Sequence, residues 1–497
     1  MVKVRVVTGK APAGTMVAVA VSKGKKPAAL GNVPADVARA VEAVSRSGAF
    51  TGEKGTKLVA HIGAGKNVRP VLLFGAGEKG KADLNSLRGL SAAAVGAARE
   101  VRAKAVVVHG RLEDVPLDAQ AQALAEGAVL GAYKYDLKEP PKEGKKEDMP
   151  RELLVPASKK EASIASAGVV RGARIGSAVN LSRELGNQAG AEMHPETFAA
   201  QVNERAKGLA NVKVTVFHAD DLKKKGMGAI LSVGQGSAHP PCMLMIEVNP
   251  KAEGKPIVLV GKGVVFDSGG ISIKPAENME LMRYDKCGAA AVASAALCLA
   301  ASGVKSRVVA LAPLVENLPS GTAYKPGDFV KTYSGKTLEI VNTDAEGRVI
   351  LCDALTFGAE MKPRALIDLA TLTGAAMVAL GDQAAGLFGT DRPLMDAVEA
   401  AAEATGERVW ELPLYDEYLK STKSDYADLK NSGGRYAGAS MGAIFLREFT
   451  KGAPWVHIDI APVAWNTEPK AWGGKGASGY GVRLLVELVS KLDTGSS

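Results

Sequence analysis

Short apolar runs alternate along this chain with longer Ala- and Leu-rich stretches, and the alternation continues on both sides of one charged, proline-rich interruption. Runs of four to seven apolar residues bounded by polar or glycine turns have the length of buried strands. Runs of a dozen or more have the length of helices. Residues 15–21, 71–74 and 105–108 are strand candidates before the interruption, and residues 90–101 are a helix candidate. After it come strand candidates at 257–260, 307–311, 365–369 and 456–460, with helices at 284–301 and 348–360. Such a pattern predicts an α/β fold, a sheet flanked by helices. In sheets of this kind, binding groups collect beyond the carboxyl ends of the strands.

The interruption is residues 138–151, KEPPKEGKKEDMPR, which has three prolines and no apolar periodicity, as a solvated linker would. At 497 residues the chain also exceeds the usual size of a single core. The expectation is a smaller N-terminal α/β domain over residues 1–150, a linker over 151–180, and a larger α/β/α domain over 181–497. The larger domain is expected to carry a central sheet, mostly parallel or mixed.

Apolar residues at 46% and charged residues at 23% exclude wholesale disorder. The sequence reads as having no apolar stretch of the roughly 20 residues that a bilayer requires, and MVKVRVVTGKAPAG lacks the apolar segment of a secretory signal. A cytoplasmic protein that does not enter membranes is expected. Cys242, Cys287, Cys298 and Cys352 form no CxxC pair and read as reduced, buried thiols. Residues 1–150 hold 24 Lys+Arg against 15 Asp+Glu and residues 151–497 hold 38 of each, so the first third carries the whole +9 excess. A solvated lysine-rich face explains that asymmetry; a DNA-binding role for the basic domain is the alternative.

Three clusters could carry chemistry. In the first, the apolar run IVLVG gives way to KGVVFDSGGISIKP, which places Lys262, Asp267 and Lys274 in a glycine-rich loop after a buried strand. In the second, Asp285 stands at the start of a helical run, where a carboxylate can cap helix amides or face a site. The third is NTDAEGR, with Asp344 and Glu346 two apart; in extended backbone that spacing puts both carboxylates on one side. Carboxylates held together repel, and a shared proton or a bound cation relieves the repulsion. Four carboxylates against one or two amines favour divalent metal, and oxygen ligands suit Mg, Mn or Zn. His61, His109, His194, His218, His239 and His457 fall outside these clusters and each reads as structural.

VGKGVVFDSGGISIKP, MRYDKCGAAA and NTDAEGR together resemble the leucyl aminopeptidase family, cytosol aminopeptidases that use two metals. The likeness extends through LATLTGA, KNSGGR, HIDIA and GYGVRLLVEL, over roughly residues 170–490. It implies that Asp267 and Glu346 bridge two divalent ions, Mn2+ or Zn2+. Lys262 and Asp285 complete the tighter site, and Asp344 the more exchangeable one. Lys274 then polarises the scissile carbonyl, and Arg348 holds a bicarbonate that acts as general base. Met282, Asn342, Thr371, Leu372, Gly374 and Ala461 are implied at the substrate, and a homohexamer acting on peptides is implied as the assembly. Pro462, where family members commonly have glycine, is a departure beside that pocket. A rival, nucleotide binding at GAGEKGKA (75–82), lacks the terminal Ser or Thr of a phosphate loop.

Overall fold

The computed structural model describes residues 2–24, 28–29, 31, 33–63, 68–137 and 149–494. Residues 138–148, most of the charged, proline-rich interruption, lie outside them. The chain divides into two compact units, one of residues 1–180 and 468–475, the other of residues 181–467 and 476–497.

The first unit is built on a seven-stranded mixed sheet. Its middle strand, Met16–Lys23 (MVAVAVSK), is buried at every residue but the last, as its β-branched run requires. It pairs in parallel with Arg69–Glu78 on one side and Ala105–His109 on the other, and Lys57–Ile62 joins the edge antiparallel. Helices Leu84–Glu100 and Leu117–Gly131 carry broad apolar faces and form one core with the sheet. Helix Ala35–Arg46 buries only Val37 and Val41, one turn apart, in the other core.

One expectation changes here, and one rival reading falls. Residues 151–180 are not a linker: Glu152–Pro156 pairs in parallel with Lys3–Val7 and Ala105–His109, and Ala162–Asn187 is a 26-residue helix. ELLVP is too short to stand out beside a charged tract, and its partner lies about 150 residues away. The phosphate-loop reading also fails. Gly75 and Gly77 belong to a strand, and the helix that follows is capped by Asp83, which accepts from Ser86 N–H at 2.7 Å and would repel a phosphate.

The second unit carries a nine-stranded mixed sheet. Four central strands run parallel in the order Trp455–Asp459, Ala365–Ala370, Ile257–Gly261, Val308–Asn317. All are fully buried, which accounts for their mainly apolar sequences; the buried Asp368 and His457 on neighbouring strands pair with each other at 2.6 Å. The outer strands Cys242–Val248, Val212–Phe217 and Ala385–Gly389 are antiparallel to their inner neighbours, which makes the sheet mixed. Asp267, at the end of Gly263–Asp267, stands in register with Asn317, at the end of Val308–Asn317.

Helix Cys287–Ser302 is buried over 13 of its 16 residues, and its alanines let it lie close on the sheet. With the turn before it, Met279–Ser302 is long and apolar enough to cross a membrane by length and composition, contrary to the sequence reading, but 83% of its apolar window is buried inside the fold. All four cysteines are buried thiols outside any disulfide.

Buried Asp353 anchors a second helix start. It accepts from Ala229, Ile230 and Tyr333 N–H at 3.0, 3.1 and 2.7 Å, while burial pushes its carboxyl up to about 7. The native state then binds more protons than the unfolded chain between about pH 4 and 7, so stability from this group is present below that window and falls as pH rises through it. Three pH units set an upper bound of about 4 kcal/mol. Urea unfolding at pH 5 and pH 8 should show this fall in the wild type and a flatter dependence in Asp353→Asn. Equal slopes would refute it.

Candidate active site

Lys262 directly follows the strand Ile257–Gly261. Its N–H donates to the Leu369 carbonyl at 3.0 Å, and its carbonyl accepts from Ala289 N–H at 2.8 Å. This pins it between two strand ends and a helix start. A Cβ at Gly288 would stand 2.2 Å from the Leu369 carbonyl oxygen and 2.9 Å from Lys262 N, so only glycine allows that approach. The buried Lys262 ammonium lies 2.8 Å from Asp285 Oδ1, from Glu346 Oε1 and from the Thr371 carbonyl oxygen.

Asp285 sits in a 3-10 turn, Met279–Lys286, and Lys286 is the N-cap of the helix that follows. Capping is therefore not its role. Its Oδ1 takes hydrogen bonds from Lys262 and from Thr371 Oγ1, the latter at 2.7 Å. Its buried Oδ2 has no hydrogen-bond partner, although Lys262 Nζ is within 2.8 Å.

Asp267 Oδ1 accepts from Asn317 Nδ2 at 2.8 Å and from Gly269 N–H at 2.9 Å, and its Oδ2 lies 2.8 Å from Lys274 Nζ. Gly269 and Gly270, both left-handed at φ +87° and +67°, turn the loop so that Lys274 N–H returns to the Ser268 carbonyl at 2.9 Å. Lys274 also pairs with Asp344.

Extended backbone was expected at Asp344 and Glu346. Instead a turn holds Asp344, whose N–H donates to Asn342 Oδ1 at 2.9 Å, and Glu346 opens the helix Glu346–Glu360. The turn still brings the two together. One oxygen each from Asp267, Asp344 and Glu346 lie within 4.8 Å of one another.

Burial raises the carboxyls of Asp267, Asp285 and Asp344, and neighbouring carboxylates add to the shift. Burial alone would lower Lys262 and Lys274, but attraction to the surrounding carboxylates outweighs it and both are raised. Both effects report a surplus of negative charge. With all groups ionised, four carboxylates face two ammonium groups. This surplus and the converging oxygens fit divalent cations.

Arg348, on the first turn of Glu346–Glu360, is 9% exposed. Its Nη1 donates to the Asn431 carbonyl at 3.3 Å, its Nε has no hydrogen-bond partner, and burial lowers its pKa. Thr371 touches Asp285 directly, whereas Asn342 shapes the turn under Asp344. Leu372 and Ala461 donate their N–H groups to one acceptor, Asp459 Oδ1, at 3.1 Å each. Met282 is half-buried in the 3-10 turn, Gly374 is exposed at the start of a short helix, and Pro462 is buried beside Ala461.

Three supporting residues went unassigned in the sequence. Asn317 ends a ten-residue buried strand with a polar side chain, a signal that was legible. Asp459 and Asn431 lie inside the quoted strings HIDIA and KNSGGR, but their backbone-holding roles need the fold.

Four carboxylates and two lysines gathered beside the parallel centre of the sheet fit the class of metal-dependent enzymes. Residues 180–486 match the catalytic-domain model of the cytosol aminopeptidase family, and residues 16–139 match that family's N-terminal domain. The probable cytosol aminopeptidase of Syntrophotalea carbinolica is 42% identical over 454 residues, 90% of each chain. That of Roseiflexus castenholzii is 43% identical over 433 residues, covering 85% of this chain and 87% of the relative. Among solved structures, the bottromycin maturation enzyme BotP in complex with Mn aligns at TM-score 0.85 and 34% identity, over 97% of this chain and all of that one. A lysine-to-glutamate mutant of tomato leucine aminopeptidase aligns at TM-score 0.86 and 29% identity, over 99% and 97%. The chain belongs to the cytosol aminopeptidase family and is a metallo-aminopeptidase.

Proposed function

We propose that this enzyme removes N-terminal residues from peptides, with preference for leucine-like side chains. Lys262, Asp267, Asp285, Asp344 and Glu346 would hold two divalent ions, Mn2+ or Zn2+. The convergence of these five groups at the strand ends carries the reading. When bound, two such ions make water acidic enough to give hydroxide near neutral pH and polarise a carbonyl. To coordinate, Lys262 gives up its proton, which a dication at that place favours.

The remaining chemistry belongs to the chain. Lys274 keeps its charge, is held by Asp267 and Asp344, and at 21% side-chain exposure can be reached by substrate. An oxyanion forming on the scissile carbonyl would meet it there, so the interaction strengthens in the transition state. Asp344, at 36% the most exposed of the four carboxylates, marks the side where the substrate's free α-amine arrives. Arg348, with its unpartnered Nε, supports a planar anion such as bicarbonate as the group that takes the proton from water. Met282, Thr371, Leu372, Gly374 and Ala461 would bound the first side chain, over Asn342 in the adjoining turn.

Leucine p-nitroanilide tests this reading. Hydrolysis should vanish on chelation, return with Mn2+ or Zn2+, and be absent with the N-acetylated analogue at any metal concentration. Equal cleavage of the acetylated compound would overturn the amine-dependent reading.

A further inference from the structure

His194, His239 and Glu316 share no motif, yet one nitrogen from each imidazole and one carboxylate oxygen lie within 4.8 Å of one another. Three separate segments bring them there. His194 is the N-cap of helix Pro195–Ala206, His239 precedes Pro240 and Pro241 ahead of strand Cys242–Val248, and Glu316 is the penultimate residue of Val308–Asn317. His194 does not use its ring for capping. The ring stacks on His239 with centroids 3.4 Å apart, and its Nδ1 faces Glu316 Oε1 at 3.5 Å.

That distance is too long for a strong hydrogen bond, although Glu316 is 4% exposed and a buried carboxylate needs strong partners. Its other oxygen already has one, since Ser237 Oγ donates to Oε2. Oε1 and two imidazoles are left facing each other.

We propose that His194, His239 and Glu316 form a further metal site, separate from the carboxylate–lysine cluster, for Zn2+ or another ion that prefers imidazole. Two nitrogens and one oxygen are a familiar zinc set, and a fourth position would open to water because both histidines are partly exposed. Ligands at about 2.0–2.2 Å around a tetrahedral zinc stand roughly 3.3–3.6 Å apart. The set must therefore draw in from separations of up to 4.8 Å, and the two rings must turn out of their 18° stack for their in-plane lone pairs to meet at one ion. Both histidines are partly exposed, which leaves room for that rotation. Ser237 plays the outer-shell part, fixing the carboxylate's orientation.

Successive strand residues point to opposite faces, so Glu316 and Asn317 serve different sites from adjacent positions. Asn317 holds Asp267. An ion at Glu316 would fasten the start of helix Pro195–Ala206 and the 235–241 turn to the strand that positions Asp267. Its role would be to buttress that strand rather than to touch substrate.

Zinc content of the full chain, measured by inductively coupled plasma mass spectrometry after loading and desalting, tests the assignment. The His194→Ala/His239→Ala double variant should hold one equivalent per chain less than the wild type, and added Zn2+ should raise its melting temperature less. His239→Gln, a single change in a partly exposed turn, should give the same one-equivalent loss if the double variant does not fold. Equal zinc content in wild type and variants would overturn the site. The difference is independent of how many ions the catalytic cluster holds, so failure of the catalytic reading would move the baseline and leave the difference intact.

Discussion

Glu346→Gln should reduce hydrolysis of leucine p-nitroanilide to the level of the chelated enzyme. The side chain is buried, lies 2.8 Å from Lys262 Nζ and shares the converging oxygen set with Asp267 and Asp344. The amide keeps the shape and removes one negative charge. Lys262 would lose one of the carboxylates that surround it, and one oxygen of the set would become an NH2 that cannot ligate. The loss should exceed the roughly 10²–10³ that follows removal of a single oxyanion donor. Metal content should fall along with activity. Retained activity with full metal content would show that Glu346 is not a ligand.

Lys274→Ala should show a different signature. It is expected to lower kcat by roughly 10²–10³, or about 3–4 kcal/mol of transition-state stabilisation, with a smaller change in KM. Lys274 contacts Asp267 and Asp344, so its removal also leaves two carboxylates less compensated and should strengthen cation binding. Loss of kcat with equal or tighter metal affinity separates an oxyanion partner from a structural ion pair. A change confined to metal affinity or folding would sink the assignment. Steady-state kinetics together with metal titration distinguish the two.

Most of the proposed catalytic groups were legible because each lies in a short string beside a strong structural signal. Lys262 follows one buried strand, whereas Asp267, expected in a loop, ends a second strand, Gly263–Asp267, and Glu346 and Arg348 open a helix that the apolar pattern already marked. The four central strands were legible because parallel strands buried on both faces read as mainly apolar runs, even where Asp368 or His457 interrupts them. Long-range pairing was hidden. Glu152–Pro156 joins the first sheet through Lys3–Val7, and His194 meets His239 and Glu316 across more than 40 residues of chain. The turn at Asn342–Ala345 was misread because a two-residue spacing looks the same in a strand and in a tight bend.

Asp459 holds the wall proposed for the substrate's first side chain by the main-chain N–H groups of Leu372 and Ala461 and by the Thr373 hydroxyl at 2.7 Å. Main-chain donors are the same whatever residue is encoded there. Exchange of the Leu372 or Ala461 side chain would therefore leave these hydrogen bonds in place. A lineage could in this way wander among dietary preferences while inheriting its chemistry intact, and a library confined to these positions should yield altered appetites far more often than dead enzymes.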